Sequence, residues 1–329
     1  MFNCYSAAIA TWIALADDRW DQIMSPGLHL TLTDEGDGLF GFGHFPPGLR
    51  AKLGLARTGG EDRDEALDGL SQELATSGRV IVAGDAFHQP WHVAFERRHV
   101  PHWYVIAEGP GGLRIVDPFS CRTELGLQLA HVTPVSAEGL APLLDALPDD
   151  DRVLRLRESL AFGDVAELPP WCPFQWFVQS EVGSFQAPVG AQGPEALLRL
   201  ATHFRQHGQD PEAYRQADDI WSIGRHRAFL SRRAALLAEA GARAGAGAEA
   251  EAGAEAEADP EADKHELTRW IDAHCAPLVK RWGHVSPLMM QATLSLRAGR
   301  SASASLPETL EDLASRERAA ARALPAALR

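Results

Sequence analysis

The feature that most constrains the fold is a glycine-rich reversal between two β-prone segments. Residues 102–107 (HWYVIA) and 112–116 (GLRIV) are rich in aromatic and β-branched side chains, and the chain between them begins EGPGG at Glu108. Glycine and proline in a short loop favour a tight turn between antiparallel neighbours. A third β-prone run at residues 79–84 (RVIVAG) indicates that this hairpin belongs to a larger sheet.

The register of this hairpin is predicted to bring a histidine and an aspartate together. If the chain turns about the junction of Gly109 and Pro110, His102 faces Asp117 on the same side of the sheet. Opposed residues have Cβ atoms about 5 Å apart, so the carboxylate can accept a hydrogen bond from the imidazole and fix its tautomer. A slip of one residue would put the two on opposite faces. The alternative is an edge-strand histidine with satisfied hydrogen bonds and an aspartate that serves the turn before Pro118.

A cysteine lies at the predicted start of the first helix. Asn3 is a good N-cap residue, and an apolar run with strong helix formers extends from Tyr5 to about Ala16. The start of a helix presents unpaired N–H groups and partial positive charge, which stabilise a thiolate and can bind a developing oxyanion. Cys4 is therefore a candidate nucleophile, although a lone cysteine at such a position is more often a small buried hydrophobe.

Cys4, His102 and Asp117 together form the set needed for nucleophilic catalysis. The base generates a thiolate, an acyl group moves onto sulfur, and a second nucleophile removes it. The other cysteines, Cys121, Cys172 and Cys275, form no CxxC pair, so we interpret them as packing residues.

Patterning along the chain predicts two regions, residues 1–160 and residues 161–329. The first is expected to be α+β, with an opening helix followed by strands. The second is expected to be mainly helical, because apolar residues recur at helical spacing over 194–207, 213–237 and 265–282. Within it, Ala, Gly and Glu dominate residues 241–262, which we interpret as a solvated linker or a frayed helix.

The charge balance excludes several classes of function. The 329 residues carry 31 Lys and Arg against 45 Asp and Glu, a net charge of −14, which disfavours sequence-independent binding to nucleic acid.

The sequence has no run of roughly 18 apolar residues and no secretory start, so we expect a cytoplasmic protein without a membrane span. The glycines of residues 34–43 spell neither a dinucleotide motif nor a P-loop, and we expect no cofactor.

Several segments resemble a known family. They are residues 80–91 (VIVAGDAFHQPW), 99–106 (HVPHWYVI) and 113–119 (LRIVDPF), with FNC at 2–4 and DEGDGLFGFG at 34–43. Over residues 1–160 they resemble the amino-terminal domain of the butirosin biosynthesis protein H family. They are similar, more remotely, to papain-like leader peptidases of bacteriocin exporters, which share the order Cys, His, Asp. The helical remainder is similar in outline to the domain that often follows.

This resemblance implies a papain-like fold and a cysteine acyltransferase of natural-product biosynthesis. The acyl group would come from a thioester, carried by the phosphopantetheine of an acyl or peptidyl carrier protein, and would pass to a small-molecule amine. By the match, Cys4 corresponds to the nucleophile, His102 to the base and Asp117 to its orienting carboxylate. Water as acceptor would make the protein a thioesterase or peptidase, and an internal nucleophile would make it an off-loading cyclase.

The sequence departs from the peptidases at the oxyanion position. Three residues precede Cys4, so the glutamine that papain-like peptidases place shortly before the nucleophile has no counterpart. Asn3 is a candidate donor, although it cannot easily serve as both N-cap and oxyanion donor. Because of this departure we also consider an alternative function of another class. The protein would then be a non-catalytic module that binds a carrier protein or peptide.

Three further residues are candidates for contact with substrate. Phe40 and Phe42 would line a lid or floor against an acyl chain, or else belong to a flexible turn. Asp85 would hold a substrate or the end of its strand, or else be a solvated carboxylate between strand and loop. We expect no metal site, because His99 and His102 are three residues apart and so lie on opposite faces of a strand.

A group of arginines follows in the helical region, at 225, 227, 232 and 233. We interpret them as the solvated face of a helix. The alternative is contact with an acidic carrier protein or with the phosphate of phosphopantetheine.

Overall fold

The computed structural model describes residues 3–25, 27–148, 152–162, 171–181, 185, 189–248 and 260–328. This part of the chain is α+β with antiparallel sheets, which confirms the predicted class. The helices are α1 (Cys4–Ala14), α2 (Trp20–Met24), α3 (Leu49–Lys52), α4 (Arg63–Ser77), α5 (Ala137–Leu140), α6 (Arg152–Leu160), α7 (Pro194–His207), α8 (Ala217–Ala248), α9 (Pro260–Trp270), α10 (Ala276–Trp282), α11 (Val285–Arg297) and α12 (Ser305–Arg322). The strands are β1 (Thr31–Asp34), β2 (Phe40–Gly43), β3 (Leu55–Gly60), β4 (Arg79–Asp85), β5 (Pro101–Gly109), β6 (Gly112–Asp117), β7 (Cys121–Thr123), β8 (Gly126–Gln128), β9 (His131–Pro134), β10 (Phe174–Gln179) and β11 (Ala191–Gln192).

The chain forms two compact units, and each is built from two stretches of sequence. The first unit comprises Met1–Met24 and Pro47–Ala187, and the second comprises Ser25–Pro46 and Pro188–Arg329. These limits differ from the predicted boundary at residue 160. The physical reason is strand pairing: β10 hydrogen-bonds to β3 and β4 of the first unit, whereas β1 hydrogen-bonds to β11 of the second.

The first unit is built on a six-stranded sheet in the order β3-β10-β4-β5-β6-β9. All of its pairs are antiparallel, and β7 and β8 form a separate hairpin. The three β-prone runs found in the sequence are confirmed as β4, β5 and β6.

Helices cover both faces of this sheet. Consecutive side chains of a strand point to opposite faces, and Trp103 and Tyr104 of β5 do so. Trp103 meets Tyr5 of α1 with ring centroids 5.4 Å apart, and Tyr104 packs in a cluster with Leu70 of α4 and Val82 of β4. Each fully buried side chain of this size contributes about 1.5–3 kcal/mol of hydrophobic stabilisation, so α1 is fixed firmly against β5.

The β5–β6 hairpin forms, but the predicted register is wrong by two residues. Gly109 pairs with Gly112 and Val105 pairs with Val116, so the turn is made by Pro110 and Gly111. The φ of +90° at Gly111, following a proline, is typical of a type II turn and fixes the reversal one residue later than predicted. Because side chains alternate with a period of two, this shift keeps His102 and Asp117 on the same face as diagonal neighbours.

The second unit is mainly helical around one hydrophobic core. A three-stranded sheet, in the order β11-β1-β2, packs against the helices through Leu32, Phe40 and Phe42, which share a buried cluster with Leu197 and Phe204 of α7. The helix predicted over residues 194–207 is confirmed as α7.

The other helical predictions are confirmed with different limits. The helix predicted over 213–237 is α8, which extends to Ala248, and the one predicted over 265–282 is divided into α9 and α10 by a π-helical turn at Ile271–Cys275. Of the predicted linker, residues 241–248 belong to α8 and residues 260–262 to α9, while 249–259 lie outside the described residues. No helix in the described segments has the length and apolar character needed to cross a membrane.

One of the arginines assigned to a solvated helix face is instead at the centre of the second unit. Arg227 is fully buried, and its Nε donates to Oε1 of Glu317 on α12 over 2.7 Å. The Nε1 of Trp282 donates to the same oxygen, and Nη2 of Arg227 donates to the carbonyl of His29. Arg233 is also buried. The assignment to a solvated face is therefore wrong for Arg227 and Arg233.

Replacement of the buried acid should destabilise the protein strongly. We expect Glu317→Ala to lower the free energy of unfolding by about 3–5 kcal/mol, because it leaves the Arg227 charge buried and unpaired. The matched control is Glu311→Ala on the same helix, which breaks an exposed pair with Arg205 and should cost no more than about 1 kcal/mol. Urea denaturation measures both, and equal losses for the two variants would contradict the assignment.

Candidate active site

Cys4 is the first residue of α1, as the sequence predicts. Asn3 caps the helix: its backbone is extended, and its Oδ1 accepts a hydrogen bond from the Ser6 N–H over 2.8 Å. The Cys4 side chain is partly exposed. A thiol that is accessible and lies at the positive end of a helix has the environment of a reactive cysteine.

His102 and Asp117 form a buried hydrogen-bonded pair. The Nε2–H of His102 donates to Oδ2 of Asp117 over 2.8 Å, and the two residues are only 2% and 1% exposed. The Phe119 backbone N–H donates to the other carboxylate oxygen over 2.9 Å. The carboxylate therefore holds the ring in one orientation, with a proton on Nε2.

The electrostatics of this pair favour a protonated imidazole. Burial by itself lowers the pKa of His102, but the charge of Asp117, the hydrogen bond to it and the contact with Cys4 together raise that pKa to about 10. Burial raises the pKa of Asp117, and the charge of His102 with the hydrogen bonds to the carboxylate more than offset this and lower it. At neutral pH the pair is an imidazolium and a carboxylate.

The Cys4 thiol completes the set. Hydrogen bonding and charge interaction with this thiol are among the causes that raise the pKa of His102. Since Nε2 is used by Asp117, Nδ1 is the nitrogen left for sulfur. The three predicted residues thus lie together in one unit of the fold, with the imidazole between the thiol and the carboxylate.

A tryptophan also contacts the carboxylate. The Nε1–H of Trp91 donates to Oδ2 of Asp117 over 2.9 Å, so that oxygen accepts from the indole and from the imidazole. The indole is stacked on His131 of β9, with ring centroids 5.6 Å apart and an angle of 5° between the planes. Trp91 therefore provides a second side-chain donor that fixes the carboxylate oxygen bonded to His102.

A second imidazole packs against His102. The ring centroid of His92 lies 4.3 Å from that of His102, and its Nδ1 accepts the Ala94 N–H over 3.1 Å. Burial and the nearby His102 charge lower the pKa of His92 to about 3, although Asp117 opposes this. His92 therefore stays neutral with its proton on Nε2, and His102 is the charged member of the two.

Sequence reasoning missed the roles of Trp91 and His92. Both lie in the loop between β4 and β5, where an aromatic and histidine-rich run (FHQPWH, 87–92) follows a buried strand. This concentration of aromatic residues and histidines was the feature of the sequence that could have indicated their roles. The contacts with Asp117 and His102 themselves depend on how the loop folds back over the sheet.

The other site residues predicted from the sequence are Asn3, Asp85, Phe40 and Phe42, and the structure gives each of them a structural contact. The Oδ1 of Asn3 is used in the helix cap. Asp85 is buried at the end of β4, where its Oδ1 accepts the backbone N–H groups of Phe87 and Val100, both over 3.1 Å. These bonds hold the ends of the β4–β5 loop together, so Asp85 holds the end of its strand and is not a solvated carboxylate. Phe40 and Phe42 belong to the hydrophobic core of the second unit, so the structure does not group them with Cys4.

One cluster that includes none of Cys4, His102 and Asp117 has the composition of a metal site. Asp85, His88 and His99 each offer a ligand atom within 4.8 Å of the others. This set differs from the combination of His99, His102 and Asp117 that the sequence argument rejects.

The cysteines other than Cys4 were predicted to be packing residues. Burial raises the pKa of Cys172 and raises that of Cys275 to about 11, which is typical of packing residues.

The comparisons with known proteins identify no relative. A scan of the sequence against protein-family models gives no match, and a search of curated proteins gives none either. The functional argument therefore depends on the residues and their geometry.

The pairing of His102 with Asp117 can be tested by titration. The folded pKa of His102 lies above the unfolded value of about 6.5, so its contribution to stability is complete below pH 6.5 and is lost as the pH rises toward about 10. In Asp117→Asn, burial is no longer opposed by the carboxylate charge, and the midpoint should fall to below about 6.5. Imidazole NMR signals measure the midpoint, and urea denaturation across this pH range measures the stability.

The same titration can contradict the assigned pairing of His102 with Asp117. If His102 of the unaltered protein titrates near or below pH 7, or if Asp117→Asn leaves the midpoint unchanged, the carboxylate does not control the imidazole.

Proposed function

We propose that the protein is a cysteine acyltransferase with a papain-like catalytic unit. The observation that carries the proposal is the position of His102, which bonds to Asp117 through Nε2 and contacts the Cys4 thiol at the start of α1. A nucleophile, a base and an orienting carboxylate in this order are the elements of covalent acyl transfer. The resemblance described above adds the donor, a carrier-protein thioester, and the acceptor, a small-molecule amine.

The first half-reaction begins from the Cys4 thiolate and the His102 imidazolium. Sulfur attacks the thioester carbonyl, and a carbon–sulfur bond forms while negative charge develops on oxygen. Collapse of this intermediate breaks the carbon–sulfur bond of the donor, and His102 gives its Nδ1 proton to the departing thiolate. The products are an S-acyl Cys4, a free carrier thiol and a neutral imidazole.

The second half-reaction returns the protein to its starting state. The amine attacks the acyl carbon, neutral His102 takes a proton from the amine nitrogen, and Cys4 leaves as thiolate. The products are an amide and the original thiolate–imidazolium pair. With water as acceptor the same steps give a thioesterase or peptidase, and with an internal nucleophile they give an off-loading cyclase.

The start of α1 is placed to stabilise the developing oxyanion. The Cys4 N–H lies in the first turn, where backbone donors and the helix dipole favour negative charge. Asn3 supports this turn as its N-cap, since its Oδ1 accepts the Ser6 N–H. One oxyanion donor typically contributes about 3–4 kcal/mol to catalysis.

The proposed S-acyl intermediate can be observed directly. We expect intact-mass analysis after incubation with acyl thioesters to show one acyl adduct per chain, which is lost in Cys4→Ala because the nucleophile is absent. The matched control is Cys121→Ala, which removes another partly exposed thiol and should leave the adduct unchanged. Undiminished adduct in Cys4→Ala would refute the assignment. Addition of amines or water to the acylated protein then identifies the acceptor.

Thiol reactivity separates the enzyme from a non-catalytic module that binds a carrier protein or peptide. At pH 6 only about 0.3% of an ordinary cysteine is thiolate, the form that iodoacetamide alkylates. We expect iodoacetamide to alkylate Cys4 at least about 10-fold faster than free cysteine, and His102→Gln to abolish the difference. Cys121 in the same sample is the internal control. A Cys4 that reacts no faster than free cysteine would favour the binding module.

A further inference from the structure

We propose that Asp85, His88 and His99 bind a divalent transition-metal ion, for which Zn²⁺ is the best fit. Asp85 ends β4, His88 ends the 3₁₀ turn Ala86–His88, and His99 lies two residues before β5. One ligand atom of each residue lies within 4.8 Å of the ligand atoms of the other two. This proposal is independent of the acyltransferase assignment, because none of the three residues belongs to the triad.

Asp85 has the environment of a preorganised ligand. Its side chain is 3% exposed, and its Oδ1 is fixed by the N–H groups of Phe87 and Val100. Its Oδ2 is turned toward Nδ1 of His99. One carboxylate oxygen is therefore held by the backbone, and the other, which is bonded to His99, is the oxygen that would bind a cation.

The two histidines are oriented by their surroundings. The Nε2 of His88 lies 3.0 Å from Oδ2 of Asp145, and metal-bound imidazoles commonly donate their second N–H to a carboxylate in this way. The ring of His99 is stacked on Phe87, with centroids 4.1 Å apart and an angle of 13° between the planes. Both side chains are partly exposed, 36% for His88 and 58% for His99, so an ion can reach them.

The donor set indicates the kind of ion. Two imidazole nitrogens and one carboxylate oxygen suit Zn²⁺, whereas Mg²⁺ and Ca²⁺ prefer sites made of oxygen alone. Around a tetrahedral ion with bonds of about 2.0–2.1 Å, ligand atoms lie about 3.3 Å apart. Asp85 and His99 must therefore exchange their direct hydrogen bond for bonds to the metal, and a neutral His99 bound through Nδ1 keeps its proton on Nε2. The exposed His99 side chain is free to make this small movement.

A bound ion would join the two ends of one loop. Residues 86–98 begin next to Asp85 and end next to His99, and they carry Trp91 and His92, which contact Asp117 and His102. The ion would thus stabilise the loop at its base.

The test is a Zn²⁺ titration of the EDTA-treated full chain. We expect calorimetry to show one high-affinity ion per chain, and thermal melting to show a Tm increase of about 5 °C at roughly 100 times the Kd. Mg²⁺ should produce neither. His88→Ala and His99→Ala should each weaken Zn²⁺ binding by more than about 100-fold, beyond the 10–100-fold typical of outer-shell partners.

The matched control is His284→Ala, which removes an exposed histidine of the second unit that makes no side-chain capping bond and should leave binding unchanged. His99→Ala also removes the hydrogen bond to Asp85 and can therefore affect folding as well as metal binding. His88→Ala leaves that bond intact, so the Zn²⁺ affinity of His88→Ala is the decisive measurement. Absence of a stoichiometric site in the unaltered protein, or binding unaffected by His88→Ala, would overturn the proposal.

Discussion

The hydrogen bond between His102 and Asp117 is the interaction on which the candidate site depends. Two groups that are almost fully buried can remain ionised only when they are paired and their other hydrogen bonds are satisfied. Asp117 meets that condition, because it accepts from His102, Trp91 and the Phe119 backbone. The sheet supplies the geometry, since β5 and β6 are adjacent and antiparallel. Without the pair, neither the charge nor the orientation of the imidazole would be defined.

The β4–β5 loop gives this pair its second layer of contacts. Trp91 fixes the carboxylate, and His92 packs against the imidazole while its own pKa is lowered to about 3. Two adjacent imidazoles could in principle share one proton, but the Ala94 N–H occupies Nδ1 of His92. The proton is therefore confined to His102. Asp85 closes the base of the loop through its bonds to Phe87 and Val100, so it supports the segment that carries Trp91 and His92.

Local sequence signals predicted more of the site than of its surroundings. The helix start at Cys4 and the strands that carry His102 and Asp117 follow from capping, β propensity and turn composition, and a register error of two residues left both side chains on one face. The contacts of Trp91 and His92, and the burial of Arg227, were not predictable in this way. Each depends on a partner brought by the tertiary fold, and Glu317 lies 90 residues from Arg227 in sequence. The Phe40 strand belongs to the second unit for the same reason, since it pairs within a sheet completed by β11.

In the proposed reaction, acylation of Cys4 gives His102 a way to change its role. The pKa of about 10 at His102 depends in part on its hydrogen bond and charge interaction with Cys4. Acylation converts the thiolate to a neutral thioester, which removes that contribution while the burial that lowers the pKa persists. The imidazolium therefore loses its proton more readily after sulfur has reacted, when the leaving thiolate needs one. The resulting neutral imidazole can then accept a proton from the incoming amine, and release of Cys4 as thiolate restores the original pKa.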